Sequence, residues 1–398
     1  MLDVEALRAE FPAFGGSQIY LDSPAGTQVP NAVTRAITTA LTSSMSNVGG
    51  AFAASRRSEA TVIEARAAGA DLVGARPDEI VFGPNMTTLT FALSRALAEA
   101  WQPGEKVIVS GLDHDANITP WVRAATNRGL EVAFIDIDPV STGLDLDHLD
   151  SLLDDRTRLV AVTGCSNAFG TLVDLPRVTA AARAVGALSY VDAVHLAPHR
   201  RIDVRELGAD FLICSSYKFF GPHLGMAYVR SELLESLPAF KVRPAPNQGP
   251  GRWETGTPPF ELLAGFTAAV DYLASVGWGG DRRGALDSAF SEIATYEAGL
   301  GDQFLAGLPA GIQVIGHPTM QERVPTFALE SERMAPAEVA VRLGQRGLAV
   351  WAGHHYAVEP MARLGFLDKG GLTRVGLTHV TTREEVDALL SALTELES

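Results

Sequence analysis

Between residues 79 and 230, seven short apolar runs alternate with longer stretches of helical spacing, and this alternation limits what the chain can become. The runs are EIVFG (79–83), KVIVS (106–110), EVAFID (131–136), RLVAVT (158–163), LSYVD (188–192), FLICS (211–215) and GMAYVR (225–230). They are rich in Val, Ile and Phe and almost unbroken in hydrophobicity, as strands covered on both faces must be. Between them, 87–101, 116–129 and 175–185 have the spacing of helices. Such β-α alternation gives an α/β fold with a mostly parallel sheet and helices on both faces.

From residue 260 the pattern changes. Long helices are expected over 260–276 and 284–307, then mixed strands and helices: IQVIG, VPTFALE, a helix at 336–346, LAVWAG, LTRVGLTH and a closing helix from 383. This predicts a smaller α+β lobe. The Gly-rich VGWGGDRRG places a boundary near 278. A large domain over 18–277 and a small one over 278–398 are expected, with residues 1–17 packing on the latter.

The chain has 398 residues, 46% of them hydrophobic, enough for a large core. A net charge of −15 without a Lys/Arg run gives no electrostatic footprint for nucleic acid or an anionic membrane face. No stretch has the length of a membrane span and no basic-then-apolar leader opens the chain, so the cytoplasm is the expected compartment. The two cysteines, Cys165 and Cys214, close apolar runs and form no CxxC, which suits small buried hydrophobes. No metal site is assigned.

In open α/β sheets ligands sit beyond the carboxyl ends of the strands. Collected there are Thr87, Thr88, His114, Asn167, Asp192, His195, Ser215 and Lys218. The lysine, in SSYKFFGPHLG, is the residue hardest to explain, because lysine is costly to bury. One ligand accounts for the whole set. A nucleophilic lysine forms a Schiff base with the aldehyde of pyridoxal phosphate. A carboxylate such as Asp192 keeps the pyridine nitrogen protonated. Thr87 and Thr88 open a helix whose N–H groups suit a phosphate, with Ser215 as a further hydroxyl. His114 suits the ring face. Asn167 or His195 suits the phenolic oxygen. Each residue alone has a plain alternative: a helix cap for Asp192, helix-start hydroxyls for the threonines, solvated loop residues for the histidines and the lysine.

At these residues the chain resembles the class V aminotransferases, the cysteine desulfurase-like group of fold-type I pyridoxal phosphate enzymes. The resemblance runs from YLDSPAGTQVP through NMTTLT, DHDANITPW, SNAFGTLVD, YVDAVH, SSYKFFGPHLG, RWETGTPP and AVWAGHHYA to TRVGLTHVTTREEVD. It implies Lys218 as the lysine that carries the cofactor, Asp192 at the pyridine nitrogen and His114 stacked on the ring. Asn167 would lie near the phenolic oxygen and the substrate carboxylate, and His195 replaces a glutamine. Thr88 and Ser215 match phosphate ligands, and Tyr217 replaces a phosphate-binding histidine. Thr257 would reach the phosphate of a neighbouring subunit, implying a homodimer. Arg374 matches the arginine that clamps the substrate carboxylate.

The chain departs from the pattern on one loop. Closely similar desulfurases carry a motif like R-x-G-H-H-C, whose cysteine takes the sulfur. Here Trp351-Ala352-Gly353-His354-His355-Tyr356 stands instead. Trp351, His355 and Tyr356 become candidate substrate contacts, as an aromatic wall or, for Tyr356, an acid/base. The implied activity is transamination or β-elimination of the C–S lyase kind on an α-amino acid. Desulfuration, epimerisation and oxygen-dependent chemistry are the alternatives, and a non-catalytic scaffold is the alternative from another class. A nicotinamide dehydrogenase is set aside because EIVFGPNMTT has no G-x-G-x-x-G turn.

Overall fold

The computed structural model describes residues 2–43 and 45–397. Its main sheet has seven strands: β1 Ile80–Gly83, β2 Lys106–Ser110, β3 Glu131–Ile135, β4 Thr157–Thr163, β5 Leu188–Asp192, β6 Phe211–Ser215 and β7 Gly225–Val229. Their spatial order is β1-β7-β6-β5-β4-β2-β3. All run parallel except β7, which is antiparallel to both β1 and β6.

Successive side chains of a strand point to opposite faces, and here both faces are core. On β6, Leu212 and Cys214 join one apolar cluster while Phe211 and Ile213 join the other. That is why every residue of β2, β6 and β7 is buried and why the sequence runs are continuous rather than alternating. The edge strand β3 is the exception, starting on an exposed Glu131.

Helix α1 (Asn31–Ser43) and helix α2 (Ala53–Val73) precede the sheet. Helix α3 (Met86–Ala98) follows β1 and is capped by Asn85, whose side chain accepts the Thr88 N–H. Helix α4 (Phe260–Ser275) packs on α1 and α2, and sends Phe266 into the sheet, edge-on to Phe82 at 5.0 Å. Truncating so large a buried side chain to alanine costs about 3–5 kcal/mol.

Helix α5 (Arg282–Gly307) leads to a second, fully antiparallel sheet: β8 Ile312–Ile315, β9 Thr326–Ser331, β10 Trp351–Gly353 and β11 Leu372–Gly376, in the order β10-β11-β9-β8. Helix α6 (Arg383–Glu397) closes the chain's described part. The stretch LAVWAG, expected as one strand, divides. Leu348–Ala349 pairs in parallel with Ile19–Tyr20, and only Trp351–Gly353 joins the small sheet. The N-terminal segment lies between the two parts. Arg8 donates to Val380 O and Glu385, while Phe11 packs against Phe220 and Tyr272.

The two sheets are stitched at residues 164–172. Gly170 has φ +77, and a Cβ there would lie 2.5 Å from Thr326 O, so a side chain would push the sheets apart. Arg323 is fully buried beside it, donating Nη2 to Phe169 O and Thr326 O.

Candidate active site

The carboxyl ends of β4, β5 and β6, the start of α3 and one edge of the small sheet enclose a cavity of about 550 Å³. Asp192 ends β5 and is 4% exposed. Its Oδ1 accepts the Val194 N–H at 2.8 Å. Burial lifts the carboxyl to about 6, against the pull of that N–H and of Lys218.

Lys218 closes the 3-10 turn Ser216–Lys218 that follows β6. Its ammonium donates to Pro24 O and lies 4.8 Å from the centre of the Tyr217 ring. The turn is held against the segment before α1. Thr27 N donates to Tyr217 O at 3.0 Å, and Phe220 N donates to Thr27 Oγ1 at 2.7 Å. Burial, then the Arg374 cation, bring the amine down to about 7, with Asp192 and Asp22 opposing.

His114 accepts the Ala116 N–H on Nδ1 at 3.0 Å, which assigns its proton to Nε2. Burial and the nearby Lys218 and Arg374 cations hold it down to about 4, so the ring is neutral. The residue before it, Asp113, was not singled out by sequence and is fully buried. It accepts from Ser110 Oγ, from Asn117 Nδ2 at 2.7 Å and from Thr163 N at 2.9 Å, fixing the His114 turn to β2 and β4.

Arg374 reaches the cavity from β11 and is 4% exposed. Its Nη1 donates to Asn167 O at 3.0 Å, and burial lowers the guanidinium to about 10 with Asp22 offsetting part of the shift. Asn167 donates Nδ2 to His355 O at 2.8 Å. Asn167 Oδ1 and Arg374 Nε are buried and have no protein partner. Unpaired buried polar atoms are costly, so an acceptor at the guanidinium and a donor at the amide are what this pair lacks.

The rim is built differently. Trp351 Nε1 donates to Asp22 Oδ2 at 3.2 Å. His355 donates Nε2 to Leu372 O at 3.0 Å, and His354 Nδ1 accepts the Tyr356 N–H at 3.1 Å. His355 and Tyr356 have φ of +53 and +57, a left-handed conformation uncommon outside glycine and asparagine. Tyr356 O accepts the Asp115 N–H at 2.8 Å, and the Tyr356 ring stacks on His114 at 5.3 Å and 13°.

Thr87, His114, Asn167, Asp192, His195, Tyr217, Lys218 and Arg374 thus meet on one cavity, with Trp351, His355 and Tyr356 on its rim. Three residues singled out by sequence lie outside its lining. Thr88 is exposed, its hydroxyl donating to Asn85 Oδ1 at 3.0 Å. Ser215 is buried beneath the helix start, where its Oγ accepts the Met86 N–H at 3.0 Å. Among the described residues no acceptor takes the Thr87 N–H between them. Gly225, opposite Ser215 on β7, leaves room for this arrangement: a Cβ there would lie 2.4 Å from the Asn85 carbonyl carbon. Thr257 is exposed on the turn before α4.

Sequence also missed the partners behind His195. Its Nε2 is 2.9 Å from Thr326 Oγ1 on β9, and its ring is edge-on to His199 at 5.2 Å. His199 in turn bonds Glu297 of α5 at 2.9 Å, all within the core. Both cysteines are free and fully buried, and burial pushes both thiols up.

Known proteins resemble this chain along its length. The family model for aminotransferase class-V matches residues 19–389. An uncharacterized protein of Mycobacterium tuberculosis is 35% identical, covering 99% of this chain and 99% of its own. A probable cysteine desulfurase of Pseudomonas putida is 32% identical over 97% of this chain and 96% of its own. Among solved structures, the apo cysteine desulfurase of Thermococcus onnurineus superposes with a TM-score of 0.92 at 26% identity, covering 100% of this chain and 98% of that one.

Proposed function

We propose that this chain, which belongs to the aminotransferase class-V family, holds pyridoxal phosphate on Lys218 and acts on an α-amino acid by transamination or β-elimination. The observation that carries this is the convergence of a buried lysine, a buried carboxylate and a buried, incompletely paired arginine on one cavity.

The residues fit the cofactor. The Thr87 N–H at the start of α3 and the Tyr217 hydroxyl suit the phosphate, with Ser215 and Thr88 shaping that helix start. His114 would cover one face of the cofactor ring. Asn167 Oδ1 and His195 face the region of the phenolic oxygen and the substrate. Thr257 completes the phosphate site of a second subunit in a homodimer. We assign the cofactor-binding domain to 18–277 and the small domain to 278–398; residues 1–17, expected on the small domain alone, touch both, through Arg8 on the small side and Phe11 on the large side.

When bound, the cofactor supplies an electron sink for bonds broken at the substrate Cα. Asp192, ionised above about pH 6, keeps a proton on the facing ring nitrogen. Lys218, uncharged above about pH 7, takes the proton from Cα and returns it. Arg374 clamps the substrate carboxylate in a planar fork, which aligns the Cα bonds. A persulfide route needs a thiolate on the cavity, and Cys165, the one cysteine of the lining, is sealed with its thiol pushed up. No described helix is long and apolar enough to cross a membrane, and the cytoplasm is the compartment we assign.

The test is the visible spectrum of the protein with pyridoxal phosphate, beside Lys218→Ala. A yellow band absent from the variant is expected. Bleaching by an amino acid points to transamination; pyruvate and ammonia without bleaching point to elimination. A protein that stays colourless sinks the proposal and favours a scaffold.

A further inference from the structure

We infer that the substrate's side chain is uncharged and apolar, and that Trp351 and Tyr356 are the residues that select it. This rests on the proposal that the site takes an α-amino acid.

The charges of the cavity decide the matter. Its lining holds one lysine, one arginine and one carboxylate, Lys218, Arg374 and Asp192, and each already has a task at the cofactor or the substrate carboxylate in that proposal. Among the lining histidines, burial lowers His114, His195 and His355 below their ordinary range, so these three rings are neutral. Asp22 lies behind the wall, where the Trp351 indole N–H covers it. An acidic side chain therefore meets no second lysine or arginine, and a basic one no free carboxylate. A charge laid against that wall gives up part of its hydration without gaining a lysine, arginine or carboxylate partner, which disfavours it.

What the open side offers instead is aromatic surface. Trp351 is 55% exposed and Tyr356 67% exposed, and both border the cavity. Neither ring is loose. Asp22 holds the indole, while His114 stacking and the Asp115 N–H hold the tyrosine. Rings already fixed in the free protein lose little freedom when an apolar group covers them, which favours binding.

The experiment titrates the protein carrying pyridoxal phosphate with α-methyl amino acids, which have no Cα proton to lose. Affinity is read from the visible band and by calorimetry, for α-methylphenylalanine, α-methylaspartate, α-methylornithine and the minimal ligand α-aminoisobutyrate. α-Methylphenylalanine is expected to bind about tenfold or more tighter than either charged ligand. Trp351→Ala and Tyr356→Ala, both at exposed positions, are expected to weaken it about tenfold and to leave α-aminoisobutyrate within about twofold. Equal or tighter binding of a charged ligand, or an equal loss for both ligands in the variants, overturns the inference while the yellow band upholds the site. A protein that takes up no cofactor sinks both.

Discussion

The floor and the rim of the cavity obey different rules. The floor residues Asp192 and Arg374 are buried, one at a strand end and one within a strand, and backbone groups fix their side chains, as they fix Asp113 behind the His114 turn. Trp351, His354 and Tyr356 on the rim are exposed, on a three-residue strand and a loop with two left-handed residues. A residue on a strand in a packed sheet cannot shift without disturbing the core, so under the proposed function the floor would be committed to one ligand. A loop can exchange its side chains at little cost to the core, so the rim is free to set which substrate is accepted.

The strongest way to break this contrast is to exchange roles. Lys218→Ala should lower turnover by about 10³-fold or more, whereas Tyr356→Phe should cost less than about tenfold. Steady-state rates on an accepted amino acid decide it. A loss at Tyr356 matching that at Lys218 would make the rim part of the chemistry.

The next test uses pH. The Lys218 amine is depressed from 10.5 to about 7, so its nucleophilic form grows as pH rises through 7. Stopped-flow uptake of pyridoxal phosphate by the cofactor-free protein should accelerate with pH, with its midpoint near 7. A midpoint near that of a solvated lysine, about 10.4, would mean that the floor does not perturb the amine.

The smallest expected effect concerns the strained rim. Tyr356→Val places a β-branched side chain at φ +57 and should cost about 1–2 kcal/mol in thermal or denaturant unfolding. Tyr356→Gly should stay within about 1 kcal/mol of the wild type. Equal losses would assign the tyrosine's stability contribution to its ring on His114 instead of the backbone.

The legible parts of the sequence follow from the same physics. Strands buried on both faces write themselves as unbroken apolar runs, and the ligand side of a parallel sheet follows from its direction. Helices α1 and α2 were not read. α1, NAVTRAITTALTS, is rich in β-branched threonine and valine, and α2 buries small residues such as Ala65, Ala68 and Gly69 instead of a stripe of large ones. The break within LAVWAG is silent because its hydrophobicity continues while its pairing partner changes. In the site, side chains beyond strand ends were accessible to inference. The Pro24 carbonyl that receives the Lys218 ammonium has no side-chain signature. Thr326 stands 131 residues from the histidine it touches. Nor does sequence show that Tyr356 adopts a backbone conformation that glycine would suit better.

The bond from Arg374 to the Asn167 carbonyl joins the small sheet to the loop after β4, where the proposed function puts the substrate carboxylate. On that proposal the residue that would hold the substrate belongs to a sheet other than the one that leads to the lysine. A carboxylate drawn onto that guanidinium pulls across the seam, and the seam beside it, at Gly170 and Arg323, has no slack. Recognition would then act as a load on a joint, with the ligand measured by how well it lets the two sheets rest against each other.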